Sequence, residues 1–92
     1  MESYRIIISG KVQHVYYRKF VSQALMRLGI QGYIKNLSDG TVEIVATIYD
    51  DDFHAVMEIL KQGSPLSEVT GSTTEICEND DLVYDGFEIR YA

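Results

Sequence analysis

The residue types and spacing best suited to chemistry lie at positions 10–18, which read GKVQHVYYR. They follow an apolar run, which predicts a strand, and precede a segment whose apolar spacing predicts a helix. A loop that enters a helix N-terminus carries unpaired backbone N–H groups, and the helix dipole there favours an anion. Arg18 lies at this helix start, where a cation is unfavourable unless an anion sits beside it. The segment is predicted to hold a phosphate or carboxylate; the alternative is a solvated helix face for Arg18 and a loop tip for Lys11.

Two widespread phosphate-binding loops are missing from the sequence. It contains neither G-x-x-x-x-G-K-S/T nor G-x-G-x-x-G. Both motifs use closely spaced glycines to bring backbone N–H groups against a nucleotide's phosphates. A nucleotide site of either kind is therefore disfavoured.

Charge is distributed unevenly along the chain. Residues 1–36 carry six basic side chains and one acidic side chain, a balance of +5, whereas residues 37–92 carry two basic and thirteen acidic side chains, a balance of −11. The net charge of −6 makes the chain a poor binder of nucleic acid or of a membrane surface. A local basic zone in the first part can still concentrate a small anion, although uneven charge also serves solubility alone.

Length and composition predict one globular domain over residues 1–92, of which 46% are hydrophobic. The single cysteine, Cys77, excludes an intrachain disulfide and fits a reducing compartment. No apolar run reaches the roughly eighteen residues that a membrane helix needs. The N-terminus also lacks a signal-peptide pattern. These features predict a cytoplasmic protein.

The first predicted elements are a strand over residues 4–10 and a helix over residues 17–28. Consecutive isoleucines predict that the strand is central and buried on both faces. Gly29 is the predicted helix C-cap. The apolar stripe of the helix comprises Phe20, Val21, Ala24, Leu25 and Leu28.

Two further strands, over residues 30–37 and 41–49, are joined by a turn that contains Asp39-Gly40, a hairpin signal. In the second of these strands alternate residues share a face. The face predicted to meet the helices comprises Val42, Ile44, Ala46 and Ile48. The opposite face, which includes Glu43 and Val45, is predicted to be wetter.

A second helix follows, with Asp50-Asp51-Asp52 predicted to supply its N-cap and first-turn acids, and Gly63 its end. The acidic triplet lacks the spaced oxygen ligands of an EF-hand, so capping is favoured over a calcium site. The helix's apolar stripe comprises Phe53, Val56, Met57 and Leu60. Strands over residues 68–77 and 86–91 flank a polar loop at 78–81.

The element order, β-α-β-β-α-β with a last short strand, predicts the α+β class. Two helices on one face of a mainly antiparallel sheet is the ferredoxin-like α/β sandwich.

Two segments closely resemble the signatures of the acylphosphatase family. Residues 10–18 resemble its first motif: Gly, a basic residue, Val-Gln-Gly-Val, any residue, an aromatic residue and Arg. Residues 32–43 resemble the second, in which Gly, an aromatic residue and Val precede Asn, and Asp or Asn precedes Gly. The spacing between the motifs also matches, and the resemblance covers nearly the whole chain.

The resemblance implies a metal-independent hydrolase without a cofactor, which cleaves the carboxyl–phosphate anhydride of small acyl phosphates to a carboxylate and phosphate. It assigns phosphate binding to Arg18 and orientation of the attacking water to Asn36. The substrate-binding loop amides would come from Gln13, His14, Val15, Tyr16, Tyr17 and Arg18. The partners it implies are a small acyl phosphate and inorganic phosphate, as product and inhibitor, with no nucleic acid or membrane and with the chain as a monomer.

The residue types suit these roles independently of the family. The guanidinium of Arg18 is a planar, permanently charged fork that matches phosphate. The amide of Asn36 both donates and accepts, so it can orient water, although it is a poor base. Because an acyl phosphate has a good leaving group, positioning and charge stabilisation suffice, and a substrate phosphate oxygen can take the proton. Without the family, Asn36 also fits a turn residue that bonds its own backbone.

His14 departs from the family, which usually has Gly at this position. Glycine permits positive φ and a close approach of the backbone to phosphate. If the position is left-handed, His14 is strained, although His tolerates this region better than most residues. His14 then either slows the enzyme by distorting the loop or adds a titrating donor beside the phosphate; otherwise it is a surface residue. A catalytically weak anion-binding or regulatory module is therefore the alternative function. An RNA-binding domain of the same fold is disfavoured by the acidity of residues 37–92.

Overall fold

The computed structural model describes residues 2–77 and 86–91. The order of elements is the predicted one. The strands and helices are β1 (Glu2–Lys11), α1 (Tyr17–Arg27), β2 (Gln31–Asn36), β3 (Val42–Ile48), α2 (Asp50–Gln62), β4 (Glu68–Ile76) and β5 (Phe87–Arg90). The polar loop predicted at 78–81 lies outside the described residues.

The five strands form one sheet in the order β4-β1-β3-β2-β5. Neighbouring strands are antiparallel except for β2 and β5, which run parallel. Both helices supply residues to the same core as the inner face of the sheet. The prediction of a ferredoxin-like α+β fold with a mainly antiparallel sheet is confirmed. Among the described residues, no helix is long and apolar enough to cross a membrane.

The core lies between the sheet and the helices. All four residues predicted on the inner face of β3 are fully buried. They meet apolar side chains of β1, β2 and both helices. These partners include Ile6, Ile8, Ile34, Val21, Leu25, Val56 and Leu60. Regular alternation along the strands thus builds a single apolar layer.

Burial on both faces of β1 was a wrong prediction. Ile6 and Ile8 point into the core, whereas Ile7 between them is only half-buried. Both helices pack on the same face, so the side chains that alternate with the core positions face the open side of the sheet.

The outer face of β3 is drier than predicted. Glu43 is only 6% exposed and Val45 is buried as well. The Glu43 carboxylate accepts hydrogen bonds from Arg5 Nε at 2.7 Å and Tyr33 Oη at 2.9 Å. This ion pair raises the pKa of Arg5, chiefly through the hydrogen bond to Glu43. Partners on the neighbouring strands therefore cover the carboxylate and compensate its burial.

The helix ends also differ in detail from their predictions. Phe20 and Leu28 are 43% and 39% exposed, so both lie outside the buried stripe of α1. The N-cap of α2 is Tyr49, and the three aspartates all lie in the first turn. They complement the helix dipole without a side-chain cap. The C-cap of α1 is Leu28, one residue before the predicted Gly29; Gly29 follows it with a φ of +75°, and its N–H donates to the Met26 carbonyl.

Candidate active site

The loop between β1 and α1 (residues 12–16, hereafter the anion loop) begins beside a break in strand pairing. The register of β1 with β4 shifts between Ser9 and Gly10. Gly10 has a φ of +123°, and a Cβ there would lie 2.1 Å from the Glu68 carbonyl oxygen. Only glycine fits at this point, because a Cβ would clash with β4 where the chain leaves the sheet.

The underside of the anion loop is fixed to the end of α2. The side chains of Val12 and Val15 are buried in the core. Ser64 Oγ, also buried, donates to the Val15 carbonyl oxygen at 2.6 Å. The middle of the loop is thus held by apolar burial and by a buried hydrogen bond.

Gln13 fixes the same loop to the β2–β3 hairpin. Its Nε2 atom donates to the carbonyl oxygens of Leu37 and Thr41, at 2.8 Å each. Because Leu37 directly follows Asn36, this pair of bonds sets the position of the loop relative to Asn36. The Gln13 side chain is therefore a bridge between the two sequence motifs.

Two non-glycine residues of the anion loop are left-handed. His14 has a φ of +61° and Tyr16 a φ of +64°, whereas Val15 between them is not in the positive-φ region. When left-handed and right-handed backbone conformations alternate, successive N–H groups point into a common concavity. Such a concavity binds anions. Strain at His14 depends on a left-handed backbone, and His14 is left-handed. This residue therefore occupies a conformation that glycine adopts more easily.

The first turn of α1 contributes one buried and one accessible side chain. Tyr17 is buried, and its hydroxyl donates to the Leu60 carbonyl oxygen at 2.6 Å. Burial raises the pKa of the Tyr17 hydroxyl. Tyr17 therefore anchors the helix start as a neutral phenol.

Arg18 is half-buried and is oriented by the end of the chain. Its Nη1 atom donates to the Arg90 carbonyl oxygen at 3.1 Å, and its guanidinium lies 4.8 Å from the centroid of the Tyr91 ring. Within the described part of the chain, no carboxylate pairs with Arg18. The guanidinium is thus held in place while most of its donors are left for a ligand.

These elements enclose one cavity of about 370 Å³. Its lining residues are Val12, His14, Tyr16, Tyr17, Arg18, Lys19, Asn36, Ile89 and Tyr91. None of the nine is acidic, and two carry a fixed positive charge. The cavity is therefore electrostatically suited to an anion.

Asn36, the last residue of β2, forms part of the cavity wall. Its Oδ1 atom is buried and has no hydrogen-bond partner among the residues that the structure describes. A buried polar atom without a partner is uncommon in folded proteins and marks a place where a ligand or water is bound. The turn interpretation predicted a bond from Asn36 to its own backbone. In the structure that type of bond belongs to Asp39, which accepts from the backbone N–H and hydroxyl of Thr41.

The structure brings most of the predicted site residues to this cavity. His14, Tyr16, Tyr17, Arg18 and Asn36 all line it. Gln13 and Val15, which were also predicted to bind substrate, do not line it; the described contacts of the Gln13 side chain and the Val15 carbonyl are with the hairpin and with Ser64.

Sequence reasoning missed the contribution of the C-terminal segment. Ile89 and Tyr91 line the cavity, and the Arg90 carbonyl orients Arg18. The parallel pairing of β5 with β2 brings these residues beside Asn36. The aromatic residue after the last strand was the available signal, but its partner lies more than seventy residues away in the sequence.

Comparison with known proteins agrees with this geometry. The sequence model of the Acylphosphatase family matches residues 4–89. An acylphosphatase of Methanocella arvoryzae is 36% identical over 90 residues, which cover 98% of this chain and 100% of the relative. An acylphosphatase of Bacillus subtilis is 42% identical over 76 residues, with 82% and 84% covered.

Solved structures give the same result. The crystal structure of acylphosphatase from Bacillus subtilis superposes with a TM-score of 0.91 at 35% identity, and covers 99% of this chain and 100% of that one. Family model, sequence relatives and fold agree over almost the full length. The chain belongs to the acylphosphatase family.

Proposed function

We propose that this protein is an acylphosphatase that hydrolyses small acyl phosphates to a carboxylate and phosphate. The observation that carries the proposal is the single cavity that joins Arg18, the anion loop and Asn36. Membership of the acylphosphatase family supports the same reaction.

We assign binding of the phosphoryl group to Arg18 and the backbone N–H groups of residues 13–18, of which residues 14 and 16–18 line the cavity. A guanidinium forms two parallel hydrogen bonds with phosphate oxygens, and these charge-assisted bonds are stronger than neutral ones. The left-handed residues His14 and Tyr16 support convergence of the loop amides on the same anion. The dipole of α1 adds to this attraction, because its N-terminus begins at Tyr17.

Asn36 orients the attacking water. Its unpartnered Oδ1 atom accepts a hydrogen bond from water and turns a lone pair of the water oxygen toward phosphorus. A bond forms between this oxygen and phosphorus, and the bond from phosphorus to the bridging oxygen breaks. The carboxylate leaves with that electron pair, and the water proton passes to a phosphate oxygen.

No separate acid or base is required by this scheme. A carboxylate is a good leaving group, so catalysis needs positioning and stabilisation of charge on the phosphoryl oxygens. Arg18 and the amides supply that positive field, so the proposal includes no metal and no cofactor. Among the described residues, the cavity lining contains no carboxylate, the ligand type that hard divalent cations prefer.

A catalytically weak anion-binding module is not favoured. Such a module needs Arg18 and the loop but has no use for an unpartnered amide oxygen in the same cavity. Asn36 and the named relatives support the enzyme. His14 adopts the left-handed φ that glycine favours.

Three finer properties belong to the proposal. Inorganic phosphate, as product, is a competitive inhibitor because it occupies the Arg18 end of the cavity. We expect the enzyme to be a monomer, and size-exclusion chromatography at assay concentration tests this. A cytoplasmic location follows from the reducing compartment that the lone Cys77 suits, and cell fractionation tests it.

The test is hydrolysis of benzoyl phosphate, followed by ultraviolet absorbance, with and without EDTA. We expect turnover that EDTA leaves unchanged and that phosphate inhibits competitively. In water enriched with oxygen-18, the label should enter phosphate and not benzoate, because water attacks phosphorus. Absence of turnover by the folded protein would refute the proposed function. Label in benzoate would refute the assigned role of Asn36.

A further inference from the structure

The cavity is larger than phosphate binding requires. Its volume of about 370 Å³ is at the lower end of the range for small-molecule pockets, which bind whole organic ligands. Phosphate and water account for Arg18, Asn36 and the loop amides. The remaining wall contains Tyr16, Ile89 and Tyr91, whose side chains contact no reacting atom in the hydrolysis scheme.

Two of these three residues present aromatic rings to solvent. Tyr91 is 77% exposed and Tyr16 is 65% exposed. The Tyr91 ring is restrained by a contact, and Tyr16 is fixed through its backbone. The Arg18 guanidinium lies over the Tyr91 ring, and Tyr16 is the left-handed residue that caps α1. Exposed rings held at the rim of a cavity are suited to contact a flat apolar ligand.

The chemistry of the substrate places its acyl group near this wall. In an acyl phosphate only one bridging oxygen separates phosphorus from the acyl carbon. With the phosphoryl group on Arg18 and the loop, the acyl group therefore lies within the same cavity. Tyr91 contacts Arg18 directly, and Ile89 is two residues before it on β5.

We propose that Tyr16, Ile89 and Tyr91 form an acyl subsite that selects substrates with an aromatic acyl group over those with a small one. The inference rests on the proposed function and deepens it by naming the substrate class. An aromatic acyl group buries its faces against the two tyrosines and the isoleucine, whereas an acetyl group is too short to make the same contacts.

An acyl group that carries a negative charge is the competing ligand, because Lys19 also lines the cavity and is exposed. A second negative charge on the acyl group would favour this lysine. Three apolar or aromatic residues against one exposed cation favour the aromatic group, and succinyl phosphate serves as the anionic probe in the test.

The experiment compares kcat/KM for benzoyl phosphate and acetyl phosphate in wild type, Tyr91→Ala and Tyr16→Ala. Differences in intrinsic reactivity cancel when each variant's ratio is divided by the wild-type ratio. We expect the benzoyl-to-acetyl ratio to fall roughly 3- to 10-fold in each variant, as for loss of one aromatic contact. Tyr91→Phe should keep the ratio. The control Tyr49→Ala, an exposed tyrosine outside this cavity, should also keep it.

If Tyr91→Ala disturbs Arg18 in general, kcat/KM falls for both substrates together and the benzoyl-to-acetyl ratio is unchanged. An unchanged ratio in both alanine variants would therefore overturn the subsite, while wild-type turnover would keep the proposed function. A preference of wild type for succinyl phosphate, lost in Lys19→Ala, would also overturn it in favour of an anionic acyl group.

Binding of acyl phosphonates, which cannot be hydrolysed, gives a readout independent of turnover. By calorimetry, wild type should bind benzoylphosphonate more tightly than acetylphosphonate, and Tyr91→Ala should reduce that preference by the same roughly 3- to 10-fold factor. Equal affinities in wild type would overturn the subsite. Tight benzoylphosphonate binding by a protein that hydrolyses nothing would refute only the proposed function.

Discussion

Replacement of His14 tests how strongly the anion loop is strained. At a φ of +61°, a residue with a Cβ pays a steric cost of about 1–2 kcal/mol. Glycine removes that cost but gives back about 0.4–1 kcal/mol through the greater entropy of the unfolded chain. His14→Gly should therefore be more stable than His14→Ala by about 1 kcal/mol. His14→Ala is the correct reference because it keeps the Cβ and removes only the imidazole.

Thermal unfolding measures this difference. For a domain of this size, 1 kcal/mol corresponds to a rise in Tm of about 4–8 °C. Gln23 supplies a matched control, since it is exposed within α1 and helical. There the sign should reverse, with Gln23→Gly less stable than Gln23→Ala by about 1 kcal/mol. If His14→Gly is no more stable than His14→Ala, the strain argument is wrong.

The same pair separates the two catalytic ideas about His14. If the Cβ distorts the loop, His14→Gly is faster than His14→Ala at every pH. If the imidazole donates to phosphate, both variants lose activity equally. We expect the second result, because His14 lines the cavity and the loop is well anchored. An unchanged rate and pH profile in both variants would remove both ideas.

Three further predictions test the anchors of the site and the sheet. Gln13→Ala should lower kcat for benzoyl phosphate about 10-fold, because loss of its two hydrogen bonds releases the anion loop from the hairpin; unaltered kcat would refute that bridge. Tyr17→Phe should cost about 1 kcal/mol at pH 8. The raised pKa of Tyr17 means that the folded state holds this proton more tightly, so wild type loses stability as pH rises above 10, and the gap to Tyr17→Phe should narrow in urea titrations there; a constant gap would contradict this. Glu43→Gln should destabilise by about 1–3 kcal/mol and Glu75→Gln, an exposed partner of the same arginine, by less than about 0.5 kcal/mol, in the same titrations. Equal effects would show that burial does not strengthen the Glu43 pair.

The local sequence pattern was sufficient to predict a helix or strand and its buried side where one side of the element faces the core. Alternation identified the inner face of β3, and Gly63 was identified as the end of α2. The long motifs identified Arg18 and Asn36, whose shared cavity the structure then displays. Periodicity gives the direction of a buried face but not its width, which is why Phe20 was assigned to the stripe of α1 and is in fact exposed.

Features that depend on distant partners were not predictable from the sequence. Burial of Glu43 depends on Arg5 and Tyr33, which reach it only after the sheet has formed. The position of Arg18 depends on Arg90 and Tyr91 in the same way. No local periodicity encodes such pairs, because their strength comes from burial and geometry in the folded state.

The central claim is that Arg18 and Asn36 act together in one cavity on an acyl phosphate. The most direct measurement is kcat/KM for benzoyl phosphate in wild type, Arg18→Ala and Asn36→Ala, with folding verified by circular dichroism. Arg27→Ala, in the last turn of the same helix, controls for loss of a positive charge. We expect a fall of about 10³-fold for Arg18→Ala and about 10²- to 10³-fold, mainly in kcat, for Asn36→Ala, with Arg27→Ala within about 2-fold of wild type. If either folded variant, Arg18→Ala or Asn36→Ala, hydrolyses benzoyl phosphate at the wild-type rate, this central claim is contradicted.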